Sequence, residues 1–306
     1  MAVSQSVTKL ALSSSVPLGW LFTQLDLGLI AGPSKNVLET MWTRTSEAYR
    51  KLGGPGRSFL TQDDVLPFDG VSRPQIDSAV NQIRHYAPHD THPTEMFNVR
   101  ISKLVTPQLL VNPKRAEKRA DVKARMTPSE LFEVSTKAGK HTEPISKQII
   151  GQYPAGAYLF TSSDEDVRPL VPVYKTVSLN DEDEQSPKCL SVCFPIGGSL
   201  PMMNAYRVRI DEKNTRLIIN NGVHRLYALT SKGNEWCPLI VTDLAPQEMG
   251  DPFVNFSRES LLGPKSDPPL VTDFLKSEVT MSLGYFPSKS TVRLNYSLEH
   301  YPTVMR

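Results

Sequence analysis

Residues 217–243 read LIINNGVHRLYALTSKGNEWCPLIVTD, and this stretch decides the fold class. Leu217, Ile218 and Ile219 form the short apolar run of a buried strand. Asn220, Asn221 and Gly222 break it, because Asn and Gly tolerate the backbone angles of a tight turn. A helical segment follows, with Leu226, Ala228 and Leu229 able to face inward and Gly233 where a helix C-cap is expected. Pro238–Val241 is a second apolar run, ending at Asp243. The order is strand, glycine turn, helix, strand, the βαβ grammar of a sheet buried under helices.

The chemistry of this stretch lies at its turn. A helix N-terminus leaves backbone N–H groups unpaired and carries partial positive charge, so it attracts phosphate or carboxylate. Gly222 lets an anion approach the backbone, Arg225 adds a forked cationic donor, and His224 adds a donor that titrates near neutrality. Asn221, Gly222, His224 and Arg225 are therefore the candidate phosphate-binding residues. The plain alternative is a turn whose Arg and His are solvated or bridge to a nearby carboxylate.

The run Gly222-Val223-His224-Arg225-Leu226-Tyr227-Ala228, set between a strand ending in Asn-Asn and a strand Pro-Leu-Ile-Val, resembles the ParB/sulfiredoxin superfamily. Sulfiredoxin-like members carry G-C-H-R-x-x-A here, matched by the glycine, histidine, arginine and alanine of this chain. ParB proteins carry G-E-R-R-x-R-A, matched only at Gly222, Arg225 and Ala228. The resemblance, over roughly a quarter of the chain, implies a nucleotide-phosphate site at this turn. Its members bind ATP in sulfiredoxin, CTP in ParB, and ADP or ATP in the related free-serine kinases. Val223 stands where sulfiredoxin has its cysteine and ParB its glutamate, which argues against sulfinic acid reduction. His224 and Tyr227 also replace ParB arginines. ATP or CTP with Mg²⁺ is the cofactor set implied.

The rest of the chain sets bounds. Its 306 residues suffice for one large domain or two ordinary ones, and 39% hydrophobic content with 22% charged excludes a disordered polymer. A net charge of +2 imposes no global field demanding nucleic acid or membrane. Twenty-five prolines against 17 glycines imply stiff connections and few long helices. The odd, sparse set Cys189, Cys193 and Cys237 suggests a reducing compartment. Cys189 and Cys193 share strand parity and read as small core residues. No run reaches the roughly 18 apolar residues of a membrane span. Residues 16–31 carry Gln24 and Asp26 and read as folded chain, not as a signal peptide. The expected location is cytoplasmic.

Three regions are expected: a mainly helical 1–94, an α/β core over 95–250 with insertions, and an extension over 251–306 packing on the core or on a partner. Residues 1–14 read as frayed. Ser34 caps a helix to Gly53, Ser72-Arg73-Pro74-Gln75 opens a second, and Thr127-Pro128-Ser129-Glu130 opens a third that ends near Gly139. His85, His89 and His92 suggest a metal, but Pro88 and Pro93 interrupt the spacing and a polar loop is the plainer reading; no metal ligands are assigned. Phe97–Val105 alternates as one strand. Residues 112–125 form a basic helix, with six Lys/Arg against Glu117 and Asp121. Lys114, Arg115, Lys118 and Arg119 share a face that can track a DNA or RNA backbone, or stay solvated over small Ala116 and Ala120. β texture begins near Ala155, with acidic loops at 164–166 and 181–184 that are more simply solvating than Mg²⁺-binding. Ala205–Ile210 and Arg216–Ile219 form a hairpin across Asp211–Asn214, which places Arg207 or Arg209 within possible reach of the same anion. A short helix over 270–276 and a strand over 291–298 follow.

The fold expected is α+β, with a mixed sheet, a ParB/sulfiredoxin-like core and a helical N-terminal part. The function expected is binding of a nucleotide or other phosphate ligand at the glycine turn, with catalysis left open and Asp243 the distant carboxylate available for phosphoryl transfer. The alternatives are a non-catalytic scaffold that engages a protein through its termini, and a nucleic-acid-binding protein using the basic helix. Arg225→Ala is expected to abolish nucleotide binding without unfolding the chain.

Overall fold

The structure, a computed structural model, describes residues 8–13, 16–86, 92–119, 121–137, 146–152, 155–162, 168–169, 173–178, 188–193, 196–197, 202–249, 256–286 and 290–297. In chain order the elements begin with β1 (Thr8–Ser13), α1 (Leu18–Asp26), β2 (Ile30–Ala31), α2 (Lys35–Arg50), β3 (Val65–Pro67), α3 (Arg73–Tyr86) and β4 (Thr94–Arg100). They continue with β5 (Leu104–Val105), β6 (Leu110–Val111), α4 (Pro113–Arg119), α5 (Pro128–Thr136), β7 (Ser146–Gln152), β8 (Ala155–Ser162), β9 (Arg168–Pro169), β10 (Val173–Ser178), β11 (Lys188–Cys193) and β12 (Ile196–Gly197). They end with β13 (Asn204–Arg209), β14 (Thr215–Asn221), α6 (Val223–Ser231), β15 (Trp236–Leu244), α7 (Arg258–Leu262), β16 (Thr280–Tyr285) and β17 (Ser290–Ser297).

Contacts divide the chain into two units, residues 1–140 with 200–287, and residues 141–199 with 288–306. Neither residue 94 nor residue 250 is a division. β3 from the first ninety residues belongs to the central sheet, and β1 pairs with β16 from the C-terminal part. The strand β1 also replaces the frayed end expected over its residues: Leu10 and Leu12 lie opposite Leu283 and Met281.

The first unit is α+β and is built on a six-stranded mixed sheet of order β3-β4-β15-β13-β14-β5. β15 pairs antiparallel with β4 and parallel with β13, and β13 pairs antiparallel with β14. β14 and β15 are therefore not neighbours, and they run in opposite directions. The hairpin turn at 211–214 puts β13 against β14, so β15 joins the sheet on the far side of β13. The unit is not a parallel βαβ crossover.

Alternation along these strands loads both faces. On one, Val99, Ala205, Leu217, Ile219 and Leu239 meet Leu226 and Leu229 of α6, and Phe274 of a 3-10 turn (Val271–Leu275) closes the layer. On the other, Met96 and Ile240 meet Ile76, Val80 and Ile83 of α3, while Val208, Ile218 and Leu244 meet Leu261 and Leu262 of α7. Each such side chain contributes about 1.5–3 kcal/mol when fully buried, so both faces hold the sheet in place. A four-stranded sheet, β2-β16-β1-β6, packs with α1 and α2 through Leu21, Leu38 and Met281.

Several local expectations hold. Ser34 Oγ accepts the Val37 N–H at the start of α2, and Thr127 with Glu130 forms the reciprocal capping box of α5. Gly233 adopts φ 82 just past α6. Others shift. The basic helix is only α4, because the chain is no longer helical over 121–127 and Arg125 takes φ 63. Phe97–Val105 is not one strand: β4 ends at Arg100, a 3-10 turn intervenes, and β5 pairs in parallel with β14.

The second unit is β-rich. β17, β8 and β7 form an antiparallel sheet, β10 and β11 a hairpin, and β9 pairs with β12. Among the described residues no helix is long and apolar enough to cross a membrane.

Candidate functional site

The turn between β14 and α6 is the place to which sequence points, and its backbone has the geometry expected. Gly222 sits at φ 115, ψ 8 as the N-cap of α6 and supplies no side-chain cap. A Cβ there would lie 2.6 Å from Met203 Cγ, so both conformation and space require glycine. Asn221 lies opposite Asn204 at a register shift, and its Nδ2 donates to the Met202 carbonyl at 2.8 Å.

The side chains that follow turn inward. Val223 is buried in the core beside Leu226. His224 is 8% exposed, and its Nε2 accepts the Asn112 N–H at 3.2 Å. Asn112 in turn accepts the Arg115 N–H through Oδ1 at 3.1 Å, so His224 ties α6 to the start of α4. Arg225 is 7% exposed, and its Nη1 donates to the carbonyls of Val134 at 3.0 Å and Lys137 at 3.1 Å. Those carbonyls end α5, where the backbone has no intrahelical donors and the dipole is negative. Arg225 thus caps α5 from outside its own helix, so Arg225→Ala removes a structural contact as well as a charge.

Two buried polar groups beside this turn have no hydrogen-bond partner among the described residues: Ser135 Oγ, in a residue 1% exposed, and Asn204 Oδ1, in a residue 5% exposed. Both belong to segments that frame it. The Ser135 carbonyl accepts the Met203 N–H at 2.7 Å, and Met203 is the side chain against Gly222. An unpaired buried polar group costs about 1–3 kcal/mol, and native structures hold few of them. Nothing local in the sequence singles out Ser135, a helical serine, or Asn204, which opens a strand. The signal exists only when α5, β13 and β14 meet.

The other expected contributors lie apart from the turn. Asp243 is held by Arg207, whose Nη2 donates to Oδ2 at 2.7 Å while Nε bonds Oδ1, and the guanidinium lies 5.1 Å from the Phe97 ring centroid. The bonds to Asp243 raise the Arg207 pKa despite burial. Asn204, beside the turn, is level with Ile240, and Asp243 is three residues further along β15, about 10 Å at strand rise. Arg209 donates to the Asp211 and Glu212 carbonyls. Neither arginine reaches the turn. Cys237 is fully buried, and desolvation pushes its thiol well up despite the Arg225 charge, so it is no thiolate nucleophile.

On α4, Lys114 is exposed, Arg115 is half-buried and Ala116 is buried against the body, while the Lys118 and Arg119 side chains lie outside the described set. His92 approaches Glu248 at 3.4 Å; the His85 side chain, His89 and the acidic loops at 164–166 and 181–184 also lie outside it. Among the described residues no cluster of three or more His, Cys, Asp or Glu is placed to hold a metal ion. In comparison with known proteins, no family model, no curated protein and no solved structure matches the chain.

Proposed function

We propose that the chain binds a phosphate-containing ligand, a nucleotide in the first instance, at the Gly222 turn. The observation that carries the reading is the pair of buried polar groups without a partner among the described residues, Ser135 Oγ and Asn204 Oδ1, in the segments framing an αL glycine at a helix start. The hydroxyl can donate to a phosphate oxygen, and the Asn204 amide, rotated about its last torsion, can do the same. The dipole of α6 favours negative charge at that end. Arg225 acts as a brace: its charge offsets the α5 carbonyls that would otherwise oppose an anion. In this reading its contribution is electrostatic and structural, not a direct contact.

A second reading, a scaffold without ligand, is favoured by the commitment of His224 and Arg225 to internal bonds. A thermal-shift and calorimetric screen of ATP, ADP, CTP, GTP and inorganic phosphate, each with and without Mg²⁺, separates the two. Saturable stabilisation that grows with ligand concentration supports the phosphate site. No response to any of them overturns it and leaves the scaffold.

A further inference from the structure

The bond from the Asn112 N–H to His224 Nε2, 3.2 Å long, admits only one protonation state of the ring. A backbone N–H can only donate, so Nε2 must present a lone pair, and in a neutral imidazole that places the proton on Nδ1. A proton on Nε2 would set two N–H groups face to face. His224 is buried, so a freed Asn112 N–H does not simply exchange its partner for water. Protonation at Nε2 and the Asn112 bond therefore exclude each other.

Asn112 is a junction. It follows β6, whose Leu110 and Val111 pair with Leu12 and Ala11 of β1. It also begins α4, where its Oδ1 accepts the Arg115 N–H and its carbonyl accepts the Ala116 N–H. α4 has only seven residues, and a helix that short does not hold itself together in water. Its first turn depends on this cap and on the burial of Ala116. His224 thus fastens the start of α6 to the point where the four-stranded sheet passes into α4.

The charged and titratable groups on the elements around α6 are these. α4 carries Lys114, Arg115 and Glu117, with Lys118 and Arg119 at its end, and β6 carries none. The 3-10 turn Val271–Leu275 brings Asp273, which Arg57 and Lys276 engage. α5, held through Arg225, carries Glu130 beside Lys123 and Glu133 beside Lys137. On α6 itself stand Arg225 and the half-buried Tyr227. Lys114 and Arg115 follow Asn112 and Arg225 follows His224, so a proton on the ring adds positive charge among cations. We propose that His224 is a proton-sensitive latch between α6 and α4. Neutral, it accepts the Asn112 N–H and fixes the start of α4; protonated at Nε2, it releases that N–H and the first turn of α4 loosens. The latch is closed above the range in which imidazole ordinarily titrates, about pH 6.5, and opens as pH falls below it.

The test is an NMR titration of the full chain in buffers free of phosphate and nucleotide, so failure here is distinct from failure of the phosphate site. The His224 ring and the Asn112 amide are followed from about pH 8 to about pH 5, on either side of the ordinary imidazole value. Hydrogen exchange at the Asn112 and Arg115 amides is measured at both ends and corrected for the intrinsic effect of pH. Ring and amide should titrate with one midpoint. Protection at the two amides should fall about tenfold at the acid end, while protection in β15 stays unchanged. His224→Gln, which keeps an acceptor for the Asn112 N–H but cannot titrate, should hold its protection at both ends. If that variant does not fold, the wild-type titration decides alone. A ring that gains no proton by the acid end overturns the proposal, as does a ring that titrates while the Asn112 amide does not. So does an equal loss of protection in β15 or in His224→Gln.

Discussion

The Gly222 turn and the α3–β4 seam are opposites in how their polar groups are used. At the turn, the charged residues that attract attention in the sequence face inward: Arg225 onto the end of α5 and His224 onto Asn112. What is left without a partner among the described residues is neutral, a serine hydroxyl and an amide oxygen. At the seam, the sequence draws no attention, yet the Arg84 guanidinium has one long hydrogen bond and no carboxylate partner among the described residues. A motif names residue types, whereas a site is made of the groups the fold has not already used. Arginine in a helix's first turn is a ligand donor only if no carbonyl of its own protein has claimed it.

That comparison can be broken by mutation, most severely at an arginine wholly committed to the interior. Arg216 is fully buried beside the Phe59 ring, and it donates to the Leu261, Gly263 and Ser266 carbonyls and to two serine hydroxyls. Desolvation lowers its pKa to about 10. Arg216→Ala should cost about 4 kcal/mol or more in urea unfolding, because it strands several buried acceptors. Arg225→Ala, which strands the carbonyls at the end of α5, should cost about 2–3 kcal/mol. A loss below 0.5 kcal/mol, a surface value, would show that Arg225 is not a brace. Gly222→Ala should cost about 1–3 kcal/mol through its backbone angle and the Met203 contact.

Smaller effects sharpen the picture at the seam. Asp64 ends the 3-10 turn (Gln62–Asp64) that leads into β3. Burial alone would raise its pKa, but hydrogen bonds from Thr61 and the charges of Lys103 and Arg100 outweigh this and hold it below the usual value. A depressed folded pKa contributes stability that is present above the unfolded value, about 3.9, and is lost as pH falls through the folded one. The stability gap between wild type and Asp64→Asn should therefore be full at pH 6 and shrink below about pH 4. Arg84→Gln should change unfolding free energy by less than about 0.5 kcal/mol, since Arg84 is exposed and its one hydrogen bond among the described residues is long. A large loss would mean that Arg84 belongs to the interior after all.

Much of the local structure was legible because its causes are neighbours in sequence. Ser34 reads as a cap three residues before its donor, Thr127 and Glu130 as a box, and the Asp211–Asn214 turn as a hairpin. The placement of β13 between β14 and β15 was not, because strand order depends on which edges are free when distant segments meet. Nor was the inward turn of Arg225, whose acceptors lie some 90 residues upstream. The second unit interrupts the first between residues 140 and 200 and was legible only as a change to β texture. The Gly222 turn was found from its residues; Ser135 and Asn204 were not, because lacking a partner is a property of three dimensions.

The most direct measurement is calorimetric titration of wild type and Ser135→Ala with the phosphate ligand that gives the largest thermal shift. Removing an unpartnered buried hydroxyl should leave the unliganded melting point unchanged or slightly higher, while affinity falls about tenfold. Equal affinity in the two proteins, or the absence of saturable binding in wild type, would contradict the assignment of a phosphate site to this turn.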